Sequence, residues 1–458
     1  MAPSNSVKIL ELRQVAPACS STDQSSTEFT LPLTFMDALW LKFPPAESIF
    51  FYELTESSPT VFISIILPKL ITSLSRALVN FLPLAGNLIW PQDSPKPLIL
   101  YTPNDAVSLT IAESSSDFGR LSSNEIREAI ELHPYTPDLC ISDTRASVLA
   151  LQITLFPNQG FCISFVTHHA ALDGKTTAMF IKAWAHICKH LEPGKIDQPP
   201  LLPADLIPSF DRSVIKDVAG LETEHLNYWL VMNEVVLKSN PRSLKVLPNI
   251  GGPEPSDLVR ATFELSREDI KFLRKKVQSQ FDRILKEDRN ETKQLHLSTF
   301  VLTCAYTGRY YKSFLLFSVD LRSRSLDPPI PNNYFGNCIA GQHVVAEARI
   351  FTEENGLAMI AEKGLFEGAR ERLAELASLE PGTQCLGVAG STRFDFYRSD
   401  FGWGEPEKVE IASIDRTNSV SLVESRDGMT GGVEIGLALK THEMESFASL
   451  FVNGLKDN

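Results

Sequence analysis

The sequence lacks the features that mark several large classes of protein. Its seven cysteines are scattered, with no C-x-x-C pair, so neither a zinc site nor a disulfide framework is indicated. The N-terminal residues contain no apolar core of a secretory signal, and no uninterrupted run reaches the ~18 apolar residues of a membrane span. A formal net charge of -13 argues against a general nucleic-acid binder. The G-x-S-x-G elbow of serine hydrolases is also absent.

What is present is the composition of an ordinary globular protein, with 43% apolar and 22% charged residues. A length of 458 residues predicts two or three domains. Cysteines without pairing partners fit a reducing compartment, so the cytosol is the expected location. Strand and helix patterns are mixed through both halves, which predicts the α/β fold class with mixed sheets.

A proline-rich stretch divides the chain. Residues 191–220 carry little periodicity, and such a stretch inside a compact protein is either a linker or a functional crossover. The sequence therefore predicts an N-terminal domain over residues 1–190, a crossover, and a C-terminal domain over residues 221–458. Within the first domain, residues 122–132 are predicted as a capped helix.

The stretch from Phe161 to Gly174 joins a buried-strand pattern to a helix pattern. The strand leads to His169, which is followed by Asp173 and by a glycine that permits a close backbone approach. A histidine at a strand end is held by the sheet but open to a cleft, and its pKa suits proton transfer near neutrality. From the residues alone, His169 is either a general base or a histidine satisfied in the core. A metal site would need a further ligand at a plausible spacing. The helix is predicted from the apolar residues Met179, Phe180, Ala183, Trp184 and Ile187.

Two further stretches combine glycines with aromatic residues. In Asp400–Gly404 two glycines bracket Trp403, which forces an irregular backbone around a large ring. A structural turn is the favoured interpretation of this loop, and direct chemistry is the alternative. Residues Tyr334–Cys338 by themselves predict only an aromatic turn.

Taken together, these stretches carry a resemblance to a known family. H-x-x-x-D-G at residues 169–174 and D-F-G-W-G at residues 400–404 resemble the plant BAHD acyltransferases. Y-F-G-N-C at residues 334–338 is similar to the third motif of the subgroup that malonylates anthocyanins, flavonoid glucosides and phenolic glucosides. Further matches run through most of the chain, at Leu31–Phe35, Phe43–Pro45, Phe50–Tyr52, Leu82–Asn87 and Val388–Phe394.

The resemblance implies an architecture. Two similar-sized domains, each like chloramphenicol acetyltransferase, would pack face to face around a channel with the histidine at its middle. Acyl-CoA would enter from one side and the acceptor from the other, and residues 191–220 would form the crossover. A segment near residues 383–406 would pack with the N-terminal domain. The expected protein is a monomer that holds neither a metal nor a permanent cofactor and uses an acyl-CoA as its co-substrate.

The same resemblance implies roles for the residues of the first motif. His169 would take the proton from the acceptor hydroxyl, and His168 would be a packing neighbour. Asp173 would turn away from the substrate and pair with Arg322. Gly174 would be structural at the site together with that pair.

The resemblance also implies roles for two residues of the loop at positions 400–404. Asp400 is grouped with His169 as a catalytic residue, although its loop also favours a structural role. Trp403 is expected to be structural at the site, and its indole N–H is a candidate donor to the oxyanion that forms during transfer.

CoA carries phosphates, so its site requires a basic patch. Lys275 and Lys276 lie in a basic cluster on a predicted helix, whose alternative interpretation is a solvated helix face. The resemblance assigns both lysines to CoA binding. Ser298 and Thr299 begin the next helix, where they would either cap it or bond the CoA arm, and Arg393 is a weaker candidate.

The acyl group is predicted from Lys175. A malonyl donor has a free carboxylate, which is costly to bury unpaired, and Lys175 places a cation close to the expected acyl group. The alternative is a solvent-facing lysine at a helix start. The sequence therefore favours malonyl-CoA over coumaroyl-CoA or another acyl-CoA, with a sugar hydroxyl of a phenolic or flavonoid glucoside as the acceptor.

Two other classes share part of the pattern. An amide-forming condensation domain also uses H-H-x-x-x-D-G, but it normally adjoins carrier modules and lacks the D-F-G-W-G loop. A non-catalytic binding protein on the same scaffold stays open, because a sequence does not prove turnover. The loop at residues 305–314 is shorter than in the resembling enzymes, which bears on the rim of the acyl-CoA site.

Overall fold

The computed structural model describes residues 7–18, 27–54, 58–192, 200–247, 256–288, 298–308, 314–322, 327–344, 385–426 and 431–456. Within these ranges the chain folds into mixed α/β structure, as predicted. Two large sheets, each covered by helices, lie mainly in the N-terminal and the C-terminal half, and a small third sheet flanks the first.

The first sheet is mixed because β6 (Val107–Ser114) runs parallel to β9 (Leu149–Phe156), whereas its other pairs are antiparallel. A hairpin turn after β9 places β10 (Gly160–Thr167) between β9 and β3 (Ala46–Glu53). Among the described residues the sheet has six strands, in the spatial order β1 (Val7–Val15), β6 (Val107–Ser114), β9 (Leu149–Phe156), β10 (Gly160–Thr167), β3 (Ala46–Glu53) and β15 (Lys408–Ile411). The small sheet contains β2 (Phe29–Pro32), β5 (Leu98–Tyr101), β4 (Asn87–Ile89) and β8 (Arg145–Ser147).

The second sheet is also mixed, because β14 runs parallel to both of its neighbours. Its described strands are, in spatial order, β13 (Ile339–Val344), β12 (Phe314–Asp320), β14 (Cys385–Ser391), β16 (Ser419–Glu424), β17 (Val433–Lys440), β11 (Leu258–Leu265) and β7 (Arg127–Glu128).

The described helices cover the faces of these sheets. The α-helices are α1 (Phe35–Ala38), α2 (Pro59–Val61), α3 (Leu67–Asn80), α4 (Leu82–Ala85), α5 (Phe118–Leu121), α6 (Gly174–His190), α7 (Leu221–Val231), α8 (Arg267–Asp288), α9 (Thr299–Gly308), α10 (Ile414–Thr417) and α11 (Thr441–Lys456). Two π-helical segments lie at Phe62–Ile66 and Met232–Val236, and 3₁₀ turns lie at Ala129–Glu131, His133–Tyr135, Ala204–Leu206, Arg212–Val214 and Phe396–Arg398.

One helix is long and apolar enough to cross a membrane by length and composition. It runs from Pro59 to Asn80 as α2, a π-helical segment and α3. The helix was not predicted as a span, because Lys69 and Arg76 interrupt its apolar run. Leu70, Leu74 and Leu78 of α3 are fully buried in the core against the first sheet. α3 therefore packs into the protein core, whereas Val61, Ile63 and Ile65 of the preceding segments are exposed.

The two halves of the chain exchange short strands. β15 comes from the C-terminal half but pairs with β3, and β7 comes from the N-terminal half but pairs with β11. The predicted helix over residues 122–132 is wrong, because this segment forms β7 and a 3₁₀ turn. Of the segment near 383–406, β14 belongs to the second sheet, whereas Phe396 and Phe401 are buried in the first core.

Candidate active site

The loop between β10 and α6 is fixed at both ends. All eight residues of β10 are buried, since the strand lies in the middle of its sheet. At the other end Asp173 is the N-cap of α6, and its carboxylate accepts a hydrogen bond from the Thr176 N–H at 2.9 Å. The strand and the capped helix therefore present the loop of residues 168–173 in one defined conformation.

His169 lies in this loop against two aromatic rings. The Trp40 indole stacks on the imidazole with centroids 4.2 Å apart and planes 8° apart, and Phe43 approaches edge-on at 6.1 Å. Nδ1 of His169 is buried and has no hydrogen-bond partner among the described residues. The residue as a whole is only partly buried, so we infer that the open edge of the ring carries Nε2.

Burial lowers the pKa of His169 below its ordinary value, although its own backbone carbonyl, the Asp173 carboxylate and the Asn337 side chain act in the opposite direction. The imidazole is therefore neutral near pH 7, and the neutral form is the one that accepts a proton. His168, by contrast, is fully buried, and burial lowers its pKa to about 3. Its Nδ1 accepts a hydrogen bond from the Ala170 N–H at 3.3 Å, as suits a packing neighbour.

The ion pair predicted for Asp173 is present. The Arg322 guanidinium donates to both Asp173 carboxylate oxygens, at 2.7 and 3.2 Å, and both side chains are at most 1% exposed. Burial alone would raise the pKa of Asp173, but Arg322 and the N–H groups of Thr176 and Cys338 hold it below the ordinary value. Asp173 is thus an ionised carboxylate whose partners lie away from the imidazole.

The third motif closes over this loop. The Asn337 side chain donates to the His169 carbonyl oxygen at 2.8 Å and to Asp37 Oδ1 at 3.1 Å. The Cys338 N–H donates to the Asp173 carboxylate at 2.9 Å, and Arg322 donates to the Gly336 carbonyl at 3.0 Å. Asn337 and Asp37 were not predicted as site residues from the sequence. The only available signal was the motif resemblance at residues 334–338.

Position 174 requires a glycine because there is no room for a side chain. A Cβ atom at this position would lie 2.5 Å from the Phe394 ring, closer than real contacts allow. The start of α6 is therefore packed directly against a residue from the C-terminal half of the chain.

The structure corrects the catalytic role given to Asp400. Its Oδ1 accepts hydrogen bonds from the Gly402 and Gly404 N–H groups at 2.7 and 3.0 Å, and its Oδ2 pairs with Lys189 at 2.6 Å. Lys189 lies near the C-terminal end of α6, about 22 Å along the helix from Gly174 at ~1.5 Å per residue. Asp400 therefore shapes its own loop and does not reach the atoms around His169.

Trp403 lies at the same distant end. Its indole packs edge-on against Phe161 at 6.4 Å and lies under the Lys69 ammonium at 5.4 Å. Phe161 begins β10, and at ~3.3 Å per residue it lies about 20 Å from Thr167 at the end of that strand. The suggestion that Trp403 donates to an oxyanion beside His169 is therefore wrong.

The candidate CoA residues lie in the C-terminal half. Lys275 is exposed on α8, while Lys276 is partly buried, with its ammonium 5.7 Å from the Phe272 ring centroid. Ser298 caps the neighbouring helix α9 by accepting a hydrogen bond from the Val301 N–H at 3.2 Å, and Thr299 is the first residue of that helix. Adjacent helices thus carry four of the candidates, but their contact with CoA stays a prediction.

Arg393 lies apart, exposed in the turn after β14. Its N–H donates to Ser391 Oγ at 3.3 Å. The short loop at residues 305–314 falls largely outside the described residues.

Lys175 lies in the first turn of α6. Its ammonium donates to Asp320 at 3.1 Å and to Asn332 at 3.2 Å, and its side chain is 33% exposed. A cation is thus present beside the motif, but it already has a carboxylate partner.

The fold has a known counterpart. Vinorine synthase resembles this chain with a TM-score of 0.65 and 21% sequence identity, over 96% of each chain. The two mixed sheets are therefore those of a fold with two sheet-rich domains, each like chloramphenicol acetyltransferase.

The family follows from sequence comparison. A profile described as the transferase family matches residues 6–222 and 258–453. Phenolic glucoside malonyltransferase 1 of Arabidopsis thaliana is 44% identical over 485 residues, covering 99% of this chain and 98% of the relative. The malonyl-CoA:anthocyanidin 5-O-glucoside-6''-O-malonyltransferase of the same plant is 44% identical over 482 residues, covering 99% of each. The chain belongs to this transferase family, that of the BAHD acyltransferases, and it is an acyltransferase.

Proposed function

We propose that the protein transfers a malonyl group from malonyl-CoA to a sugar hydroxyl of a phenolic or flavonoid glucoside. The observation that carries the proposal is the 44% identity, over nearly the whole chain, to two malonyltransferases that act on glucosides. The arrangement around His169 supports it, because a neutral imidazole with one open edge is suited to act as a base.

In this reaction His169 accepts the proton of the sugar hydroxyl through Nε2 while the hydroxyl oxygen attacks the thioester carbonyl. The C–S bond then breaks, and the CoA sulfur takes the proton back from the imidazolium. General-base help of this kind contributes about 10²–10⁴-fold to the rate. Holding both substrates in one channel adds the advantage of proximity.

The test uses the full chain with malonyl-CoA and a phenolic glucoside, and product is followed by mass spectrometry. His169→Ala is expected to lower kcat by about 10²–10⁴-fold. His190→Ala, a change at the exposed end of α6, is the matched control and is expected to keep kcat. Ester formation by His169→Ala at the normal rate would contradict the base assignment, and no ester from the unaltered chain would contradict the function.

The choice of malonyl depends on a cation for the free carboxylate. We propose Lys175 for this role, in which case the carboxylate of the donor would displace Asp320 from the ammonium. Lys175→Ala is then expected to lower kcat/KM with malonyl-CoA several-fold more than with acetyl-CoA. Lys189→Ala, on the same helix but at its other end, serves as the control. Equal losses with both donors would contradict this assignment.

A second donor class is favoured by one observation. The Lys175–Asp320 pair means that this cation is already neutralised in the ligand-free protein. A hydroxycinnamoyl-CoA or another uncharged acyl-CoA would then need no displacement. A screen of malonyl-CoA, acetyl-CoA and coumaroyl-CoA against phenolic and flavonoid glucosides separates the alternatives, and malonyl ester is the expected main product.

We further propose a cytosolic monomer without a permanently bound cofactor or metal. The described cysteines whose side chains are placed, Cys140, Cys162, Cys188, Cys304 and Cys338, are free thiols, which supports a reducing compartment.

A further inference from the structure

Among the described residues, no carboxylate is hydrogen-bonded to the imidazole of His169. A histidine base is commonly held by a carboxylate or carbonyl at its second ring nitrogen. Here Asp173 is committed to Arg322, and Nδ1 of His169 has no partner among the described residues. The carboxylate of this loop is therefore not available to orient the imidazole, and the parallel stack on Trp40 is the contact that defines the plane of the ring.

The Trp40 indole lies directly against the imidazole of His169. Its plane is parallel to the imidazole within 8° at a centroid distance of 4.2 Å. Phe43 packs edge-on against the indole at 4.6 Å, which braces it from the side. The indole N–H is buried and has no hydrogen-bond partner in the described part of the chain. The ring thus contributes its face to the site and not its polar group.

The turn that carries Trp40 is anchored on both sides. Before it, the Ala38 carbonyl oxygen accepts a hydrogen bond from the Trp229 indole at 2.8 Å. After it, the buried Lys42 ammonium donates to the carbonyl oxygens of Ser243 and, at 2.8 Å, Lys245. Both anchors come from residues that lie after residue 220, so contacts outside the histidine loop help to hold the turn that carries the indole.

We propose that Trp40 is a positioning residue for acyl transfer: its indole fixes the imidazole plane of His169 and stabilises the imidazolium that forms during the reaction. The face of an indole attracts a cation electrostatically. His169 is neutral before it takes the acceptor proton and cationic afterwards, so the attraction is gained as the reaction proceeds. This inference rests on the proposed acyl transfer.

The test compares Trp40→Met and Trp40→Phe with the unaltered chain, using malonyl-CoA and a phenolic glucoside. Methionine fills much of the space but has no aromatic face. Trp40→Met is therefore expected to lower kcat about tenfold and to move the acid limb of kcat/KM to lower pH, since the imidazolium loses its stabilising partner. Both KM values are expected to change by less than about threefold. The kcat of Trp40→Phe is expected to lie between that of Trp40→Met and that of the unaltered chain.

Trp90→Met is the matched control, because Trp90 is buried against Arg242 and has no ring contact with His169. Unchanged kcat and pH profile in Trp40→Met, or a loss confined to KM, would overturn the positioning role. An NMR titration of the His169 imidazole gives a readout without turnover. A lower pKa in Trp40→Met supports the proposal, and an equal pKa contradicts it. Absence of product from the unaltered chain would instead refute the proposed function.

Discussion

The H-x-x-x-D-G motif lies at the N-terminal end of α6, and the D-F-G-W-G loop contacts its C-terminal end. The two ends differ in how deeply their ion pairs are buried. At the N-terminal end Asp173 and Arg322 form an ion pair whose side chains are at most 1% exposed. At the C-terminal end Lys189 and Asp400 form a pair whose side chains are 48% and 21% exposed. The buried end also holds the imidazole of His169 under an aromatic ring. This difference supports the proposal that the chemistry takes place at the buried end, whereas the exposed end fastens a loop.

The difference has energetic consequences. Removing one partner of a buried pair costs about 3–5 kcal/mol, because an uncompensated charge stays in the interior. An exposed pair contributes only ~0–1 kcal/mol, since water already solvates both charges. The two ends of α6 should therefore respond differently to the same kind of substitution.

The largest effect is expected at the buried end. Asp173→Ala should lower the free energy of unfolding by about 3 kcal/mol, because it leaves the buried Arg322 guanidinium with the partly exposed Asp320 as its remaining described carboxylate partner. It should also lower kcat, since the histidine loop loses the cap of α6. Urea denaturation measures the first effect, and initial rates measure the second. The double variant Asp173→Ala with Arg322→Met should recover part of the stability, and a loss below about 1 kcal/mol in the single variant would contradict the account.

A smaller effect is expected at the exposed end. Asp400→Ala removes two hydrogen bonds from the glycine N–H groups together with the Lys189 pair. The free energy of unfolding should fall by about 2 kcal/mol, while kcat should stay within about threefold. Lys189→Ala separates the contributions, because it removes the exposed pair alone and should cost less than about 1 kcal/mol. A loss of kcat in Asp400→Ala as large as that in Asp173→Ala would remove the distinction between the two ends.

The smallest expected effect is a loss of folding stability at acidic pH. Because burial lowers the pKa of His168 to about 3, the unfolded chain binds a proton below pH ~6.5 that the folded chain does not. The contribution of the neutral His168 to the free energy of unfolding is therefore complete above that pH and is lost as the pH falls. Stability at pH 5.5 should be about 1 kcal/mol lower than at pH 7.5 from this group, and His168→Gln should flatten the dependence. An unchanged slope in that variant would show that His168 is not the titrating group.

Local patterns predicted the parts of the site that are local. The apolar run before His168 predicted β10, and the spacing of Met179, Trp184 and Ile187 predicted α6. The mixture of strand and helix patterns in both halves predicted the α/β class with mixed sheets. The two domains like chloramphenicol acetyltransferase and the Asp173–Arg322 pair came from the family resemblance. These expectations needed no knowledge of how distant segments meet.

The contacts that complete the site are distant in the chain, which is why the residues alone did not show them. Asn337 and Asp37 are 300 positions apart, and no periodicity links them. The stack of Trp40 on His169 is likewise invisible in composition or spacing. The predicted helix over residues 122–132 is wrong for a similar reason. The backbone at Arg127 pairs with that at Arg260 in the neighbouring strand β11, and the Arg127 side chain donates a hydrogen bond to Glu410 of β15.

The most direct measurement of the central claim is kcat of His169→Gln and of Asp400→Ala, with malonyl-CoA and a phenolic glucoside both saturating. The account predicts that kcat falls by about 10²–10⁴-fold in His169→Gln and stays within about threefold in Asp400→Ala. Similar values of kcat in the two variants would contradict it, because the reacting group would then not be the imidazole at the buried end of α6.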